Sequence, residues 1–137
     1  MSARLNPYLS FAGNTRQAMG FYQGIFGGDL KLMSFGEAGM ADPQVADKIM
    51  HGNLETENGF TLMAADMPPD MALKHGNNIT VSISGDDADA LHDYWAKLST
   101  DGTIAMPLEK QSWGDEFGMC VDQFGVPWMI NIGNSTS

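Results

Sequence analysis

The chain has 137 residues, 43% of them hydrophobic, with seventeen acids against seven bases and a net charge of −10. That is about the size of one domain with a full hydrophobic core, and the composition belongs to a folded globular protein. Seven scattered cations cannot neutralise a run of phosphates, which argues against nucleic acid as a partner, and no apolar run reaches the roughly 20 residues of a membrane helix.

Met1 to Asn6 show no apolar h-region after a basic start, so a cytoplasmic location is expected. A strand is predicted over Leu5 to Ala12, with Pro7 near its start, where a missing N–H is tolerated. Gly13 turns the chain. Asn14 is a good N-cap, and Gln17 three residues on completes a pair resembling a capping box. The helix then runs from Thr15 to Phe26, with Ala18, Met19, Tyr22, Ile25 and Phe26 on one apolar stripe, and Gly27-Gly28 ends it. Strands follow at Leu30 to Phe35, Ile49 to Glu55 and Phe60 to Ala65. The last two are joined by Glu57-Asn58-Gly59, in which Asn-Gly is a strong hairpin signal. Residues 36–47 form a loop with at most one helical turn.

The polar and proline-rich stretch Met67 to Gly76 reads as a linker. Beyond it the plan returns. A strand is expected over Asn78 to Ser84. A helix follows to about Thr100, capped by Asp86 or Asp87, with Ala90, Leu91, Tyr94, Trp95 and Leu98 inward. Strands come next at Thr103 to Leu108, Phe117 to Asp122 and Val126 to Ile132. The return is visible in the residues themselves, since Leu9–Tyr22 reads LSFAGNTRQAMGFY and Val81–Tyr94 reads VSISGDDADALHDY. Ser10 matches Ser82, Gly13 matches Gly85 and Tyr22 matches Tyr94, at a constant offset of 82 − 10 = 72. Gly52 with Gly118, Gly59 with Gly125 and Met63 with Met129 pair at 118 − 52 = 66. The expected class is α+β, with two pseudo-symmetric βαβββ modules, over 5–66 and 77–133. The modules are expected to form a curved mixed sheet around a cleft.

Three stretches carry a family resemblance. They are NPYLSFAGN (Asn6 to Asn14) with Phe21-Tyr22, HGNL (His51 to Leu54), and WGDEFGMCVDQFGVPWMINI (Trp113 to Ile132). With the paired modules they resemble the vicinal oxygen chelate superfamily (glyoxalase I, bleomycin-resistance proteins, extradiol dioxygenases), and within it the PhnB-like branch. That branch is often labelled a demethylubiquinone methyltransferase relative. No glycine-rich strand-to-helix loop suited to S-adenosylmethionine is present, so methyl transfer is not expected. The resemblance implies a homodimer. It also implies a divalent metal held by four strand residues, which falls here on Asn6 or Pro7, on Asn78 or Ile79, and on Met63 and Met129. Thioether sulfur is a soft ligand that suits Zn, Mg, Mn or non-haem Fe poorly. No cofactor is therefore expected, and a divalent metal only through a non-standard site.

The remaining candidates come from strand alternation. His51, Asn53 and Glu55 share one strand face, where His51 is a general base or polar anchor with Glu55 orienting it, or a half-exposed histidine without chemistry. Tyr8, Ser10, Asn78, Met63, Met129, Trp113 and Phe117 are candidate ligand contacts, because Met and aromatic groups suit flat or varied organic ligands. Met33, Met106 and Met119 also fall on strands. His75 and His92 read as solvent-facing and structural, and Cys120, the single cysteine, as a buried small hydrophobe. Three readings compete: binding of a small organic molecule without the usual metal; lyase, isomerase or dioxygenase-like catalysis through a non-standard metal site or through His51 as base; or a dimeric housekeeping domain whose cleft has lost function.

Overall fold

Alternating burial and helical apolar stripes produce two units, Met1–Lys74 and His75–Ser137, in a computed structural model that describes residues 3–40, 42–68 and 70–133. In the first unit β1 (Tyr8–Phe11), α1 (Thr15–Phe26), β2 (Asp29–Ser34), β3 (Ile49–Glu55) and β4 (Thr61–Asp66) follow one another. The sheet order is β1-β4-β3-β2, with β1 parallel to β4 and the other neighbours antiparallel. The second unit repeats this with β5 (Val81–Gly85), α2 (Ala88–Ser99), β6 (Thr103–Lys110), β7 (Glu116–Val121) and β8 (Pro127–Ile132), in the order β5-β8-β7-β6. Each unit is thus one mixed four-stranded sheet with one helix. No helix among the described residues is long and apolar enough to cross a membrane.

The helix-facing sides form the cores. Ala18, Met19, Tyr22 and Ile25 of α1 are buried, as are Phe11, Leu54, Leu62 and Ala64 of the sheet. In the second unit Leu91 and Leu98 of α2 are buried, as are Cys120, Trp128, Ile130 and Ile132. Burial in β4 alternates residue by residue, with Leu62, Ala64 and Asp66 buried and Thr61, Met63 and Ala65 less so. The second set therefore lies on the face opposite α1.

The helix over Thr15–Phe26 and the strand over Ile49–Glu55 match their expected bounds. The first strand of each unit is shorter than expected. β1 starts at Tyr8, after Pro7, whose carbonyl accepts from Met63 N at 3.2 Å. β5 starts at Val81, so Asn78 stands before the sheet rather than on it.

The repeat also slips. Tyr8 pairs with Met63 and Ser82 with Met129, so the first strands correspond at 82 − 8 = 74, not 72, while the last strands keep 129 − 63 = 66. A slip of two residues leaves every side chain on the same face, so the apolar pattern is blind to it. Asn6 and Pro7 therefore correspond to Thr80 and Val81, not to Asn78 and Ile79.

The expected capping pair does not form, because Asn14 makes no side-chain cap hydrogen bond. The buried Asp66 at the end of β4 does the capping instead. Its Oδ1 accepts from Gly13 N (3.1 Å), Thr15 N (3.0 Å) and Thr15 Oγ1 (2.7 Å), and its Oδ2 accepts from Ile49 N (2.8 Å). Gly13 meets the carboxylate with φ +96°, a conformation that costs glycine little. At offset 66 the second unit has Ile132, which is buried and apolar. There α2 is capped locally, with Asp87 accepting from Ala90 N at 3.2 Å.

Asp66→Ala leaves three backbone amides without their acceptor. It is expected to lower unfolding free energy by about 3 kcal/mol or more. Asp66→Asn keeps one acceptor and costs less. Urea denaturation of the three chains measures both.

Candidate functional site

On the face opposite α1, β1 contributes Tyr8 and Ser10, and β4 contributes Thr61, Met63 and Ala65. His51, Asn53 and Glu55 come from β3, and Asp29, Lys31 and Met33 from β2. The ladders fix their neighbours. Tyr8 lies opposite Met63, Met63 opposite Asn53, Asn53 opposite Lys31, and His51 opposite Met33. The structure thus brings six of the ten proposed site residues, Tyr8, Ser10, His51, Asn53, Glu55 and Met63, onto one surface.

Tyr8 reaches across β4 to β3. Its hydroxyl lies 3.4 Å from His51 Nδ1, and the two rings are tilted with centroids 6.0 Å apart. Glu55 takes a different partner from the one expected. Four residues along a strand span about 13 Å, too far for it to orient His51. Its Oε1 instead accepts from Arg4 Nη2 at 3.1 Å, and Arg4 also donates to Thr61 Oγ1 at 3.0 Å. Asn53 Oδ1 is shielded from solvent and accepts no hydrogen bond among the described residues. Such an acceptor is costly unless a donor meets it.

The second unit sets out its own face opposite α2. Met129 lies opposite Ser82 and Met119, and Met119 lies opposite Met106. Phe117 lies opposite Asn131, whose Nδ2 donates to Asp115 Oδ2 at 3.0 Å. Trp113, in the turn between β6 and β7 and 62% exposed, meets Phe117 edge-on at 6.2 Å. Asn78 is exposed and off the sheet. His92 Nε2 pairs with Glu116 Oε1 at 3.0 Å, and the ring of His75 lies against Gly125.

Sequence reasoning missed Arg4, Lys31 and Asn131 at these faces, and it did not join Met33 to His51. Alternation gives the face of each strand. Which residues stand opposite one another depends on register, and the register of β2 on β3 passes through an irregularity next to Met33 and Ser34.

The fold defines the class. A glyoxylase/bleomycin resistance protein/dioxygenase domain from Frankia sp. EAN1pec superposes with a TM-score of 0.65 at 11% identity, covering all of this chain and 96% of that one. The fold is that of the vicinal oxygen chelate proteins. Within that class the chain belongs to the PhnB-like family described as 3-demethylubiquinone-9 3-methyltransferase, whose profile matches residues 3–131. It is 33% identical to protein YjdN of Escherichia coli K12 over 93% of this chain and 94% of that protein. It is 34% identical to the solved protein PA1353 from Pseudomonas aeruginosa, with a TM-score of 0.87 over 97% of this chain and 99% of that one. A putative 3-demethylubiquinone-9 3-methyltransferase, the PhnB protein from Bacillus cereus, is 20% identical with a TM-score of 0.75 over 96% and 100% of the two chains.

The family description implies a methyl donor and the superfamily resemblance a divalent metal, and neither fits the residues present. A hard divalent cation needs oxygen or imidazole donors, whereas two of the four positions that the resemblance implies for a metal hold Met63 and Met129. Among the described residues no three His, Cys, Asp or Glu side chains stand close enough to hold a metal ion. A methyl-donor nucleoside is expected at a glycine-rich strand-to-helix loop, and the turn after β1 carries the single glycine Gly13. Here the Gly13 and Thr15 amides are already taken by the Asp66 carboxylate.

Cys120 is inert by position. It is buried, and burial together with the charge of Asp122 raises its thiol to about 11. In the unfolded chain the thiol ionises near its ordinary value of 9.0, so unfolding releases a proton between there and about 11. The stabilisation is complete below that window and falls as pH rises through it. The raised, buried thiol is expected to be alkylated by iodoacetamide at pH 8 at least tenfold more slowly than an unstructured cysteine peptide, and mass spectrometry of timed samples reads the rate.

Proposed function

We propose that this chain binds a small organic molecule on the face of its first sheet opposite α1, without a hard divalent metal. The observation that carries the reading is the shared placement of Tyr8, Ser10, His51, Asn53 and Met63, with Asn53 Oδ1 lacking a donor among the described residues. Met63 and the Tyr8 ring supply adaptable apolar contact. His51 and Asn53 supply polar fixing points. On the second unit Met129, Phe117 and Trp113 offer the same kind of surface. The net charge of −10 favours ligands carrying positive charge. Assembly as a homodimer, which rests on the resemblance, is part of this reading, as is a cytoplasmic location.

A second reading, catalysis with His51 as general base, is favoured by one contact. In the tautomer whose Nδ1–H donates to the Tyr8 hydroxyl, the ring is held and Nε2 keeps the lone pair that takes a proton.

A calorimetric screen of cationic aromatic compounds tests both. Binding is expected, weakened at least tenfold by Asn53→Leu and by Met63→Ala, and unchanged by Met40→Leu outside the sheets. A ligand that binds equally well to all variants would overturn the placement. Conversion of a bound compound, lost in His51→Ala with binding retained, would select the catalytic reading.

A further inference from the structure

Three connections meet at one end of the first sheet. β1 and β4 run parallel and β3 opposes β4, so the turn after β1, the approach to β3 and the chain after β4 all lie there. They line a cavity of about 440 Å³, with Gly13 from the first, Gln44 and Lys48 from the second, and Met67, Pro68 and Met71 from the third. Small-molecule sites span roughly 300–1,000 Å³. None of Tyr8, His51, Asn53 or Met63 lines this cavity.

Main-chain hydrogen bonds hold its walls. Asp66 accepts from Gly13 N and from Ile49 N, the residue next to Lys48. Lys48 N donates to Val45 O at 2.9 Å, and Lys48 O accepts from Phe35 N at 2.9 Å. Met67 N donates to Phe11 O at 2.7 Å. Walls fixed before a ligand arrives lose little order when it binds.

One cation stands in the cavity. Lys48 Nζ lies 3.0 Å from where a Cβ on residue 13 would be, so glycine there leaves room for the ammonium. Among the described residues no carboxylate pairs with Lys48. Both oxygens of Asp66 are taken by other donors. The ammonium therefore keeps its donors for an anionic group, and Gln44 adds an amide to the same lining. Met71 is 56% exposed, and covering it with an apolar ligand body is favourable. The overall negative charge of the chain is screened over about 8 Å at physiological salt, so direct contact with the ammonium decides the sign of the ligand here.

We propose that this cavity binds a small apolar carboxylate, with the carboxylate on Lys48 and the apolar body against Met67, Pro68 and Met71. The site is separate from the sheet face opposite α1 and does not depend on the reading of that face.

The test is an NMR titration of the full chain, labelled at its methionine methyl carbons, with octanoate. Saturable shifts of Met67 and Met71 are expected, with Met63 unmoved. Lys48→Gln should weaken octanoate at least tenfold, and Lys48→Arg, which keeps the charge, should retain it. Octylammonium, with the same tail and the opposite charge, should bind at least tenfold more weakly. Asn53→Leu, on the sheet face, should leave octanoate binding unchanged. No saturable shift at Met67 and Met71, equal binding by Lys48→Gln, equal binding of octylammonium, or loss on Asn53→Leu would overturn the site. Octanoate bound here by a chain that binds no cationic aromatic compound would uphold this site while the reading of the sheet face fails.

Discussion

The first unit depends on one buried carboxylate. Asp66 ends β4, and from there it fixes the turn after β1, the first turn of α1 and the start of β3. An unpaired carboxylate at 4% exposure would be strongly unfavourable, and four donors satisfy it. Because those donors come from three places in the chain, the carboxylate sets where α1 lies against the sheet. That in turn decides which face α1 covers and which face carries Tyr8, His51, Asn53 and Met63.

The two units solve the same packing problem differently. At the position of Asp66 the second unit has Ile132, and its helix is capped by Asp87 from the adjacent turn. Its buried acid is Asp122 instead, which accepts from the amides of Phe124 and Val126 and from the Trp128 indole at 2.8 Å. The shared pattern is one of apolar faces, and the polar fastenings differ between the units. The faces opposite the helices diverge as well. His51 and Asn53 in the first correspond to Phe117 and Met119 in the second, at 117 − 51 = 66. The constellation of imidazole, amide and thioether therefore sits on the first unit alone, which is where the chemistry is placed.

Most of the fold is legible in the sequence because its signals are local. Gly27, Gly59 and Gly125 all have positive φ, at turns where a glycine after an apolar stripe or between two strands already reads as a stop or a hairpin. Strand alternation alone puts His51 and Asn53 on one face of β3, and the ladder adds Met63 beside Asn53. What is not legible is long-range. Asn14 and Gln17 have the spacing of a cap, but the acceptor comes from a residue 66 − 15 = 51 positions beyond the helix start. Glu55 shares a strand face with His51, yet Arg4 from outside the strands claims it. Asn78 reads as part of a strand that in fact begins three residues later, because a two-residue slip leaves the apolar pattern unchanged.

If ligands meet the first sheet opposite α1, the methionines already in place report it most directly. The chain is labelled at its methionine methyl carbons and followed by NMR during titration with a bound organic compound. Met63 is predicted to shift with the compound, and the fully buried Met19 of α1 to stay fixed. Shifts confined to Met19 or to the second unit's Met119 and Met129, with Met63 silent, would contradict that placement.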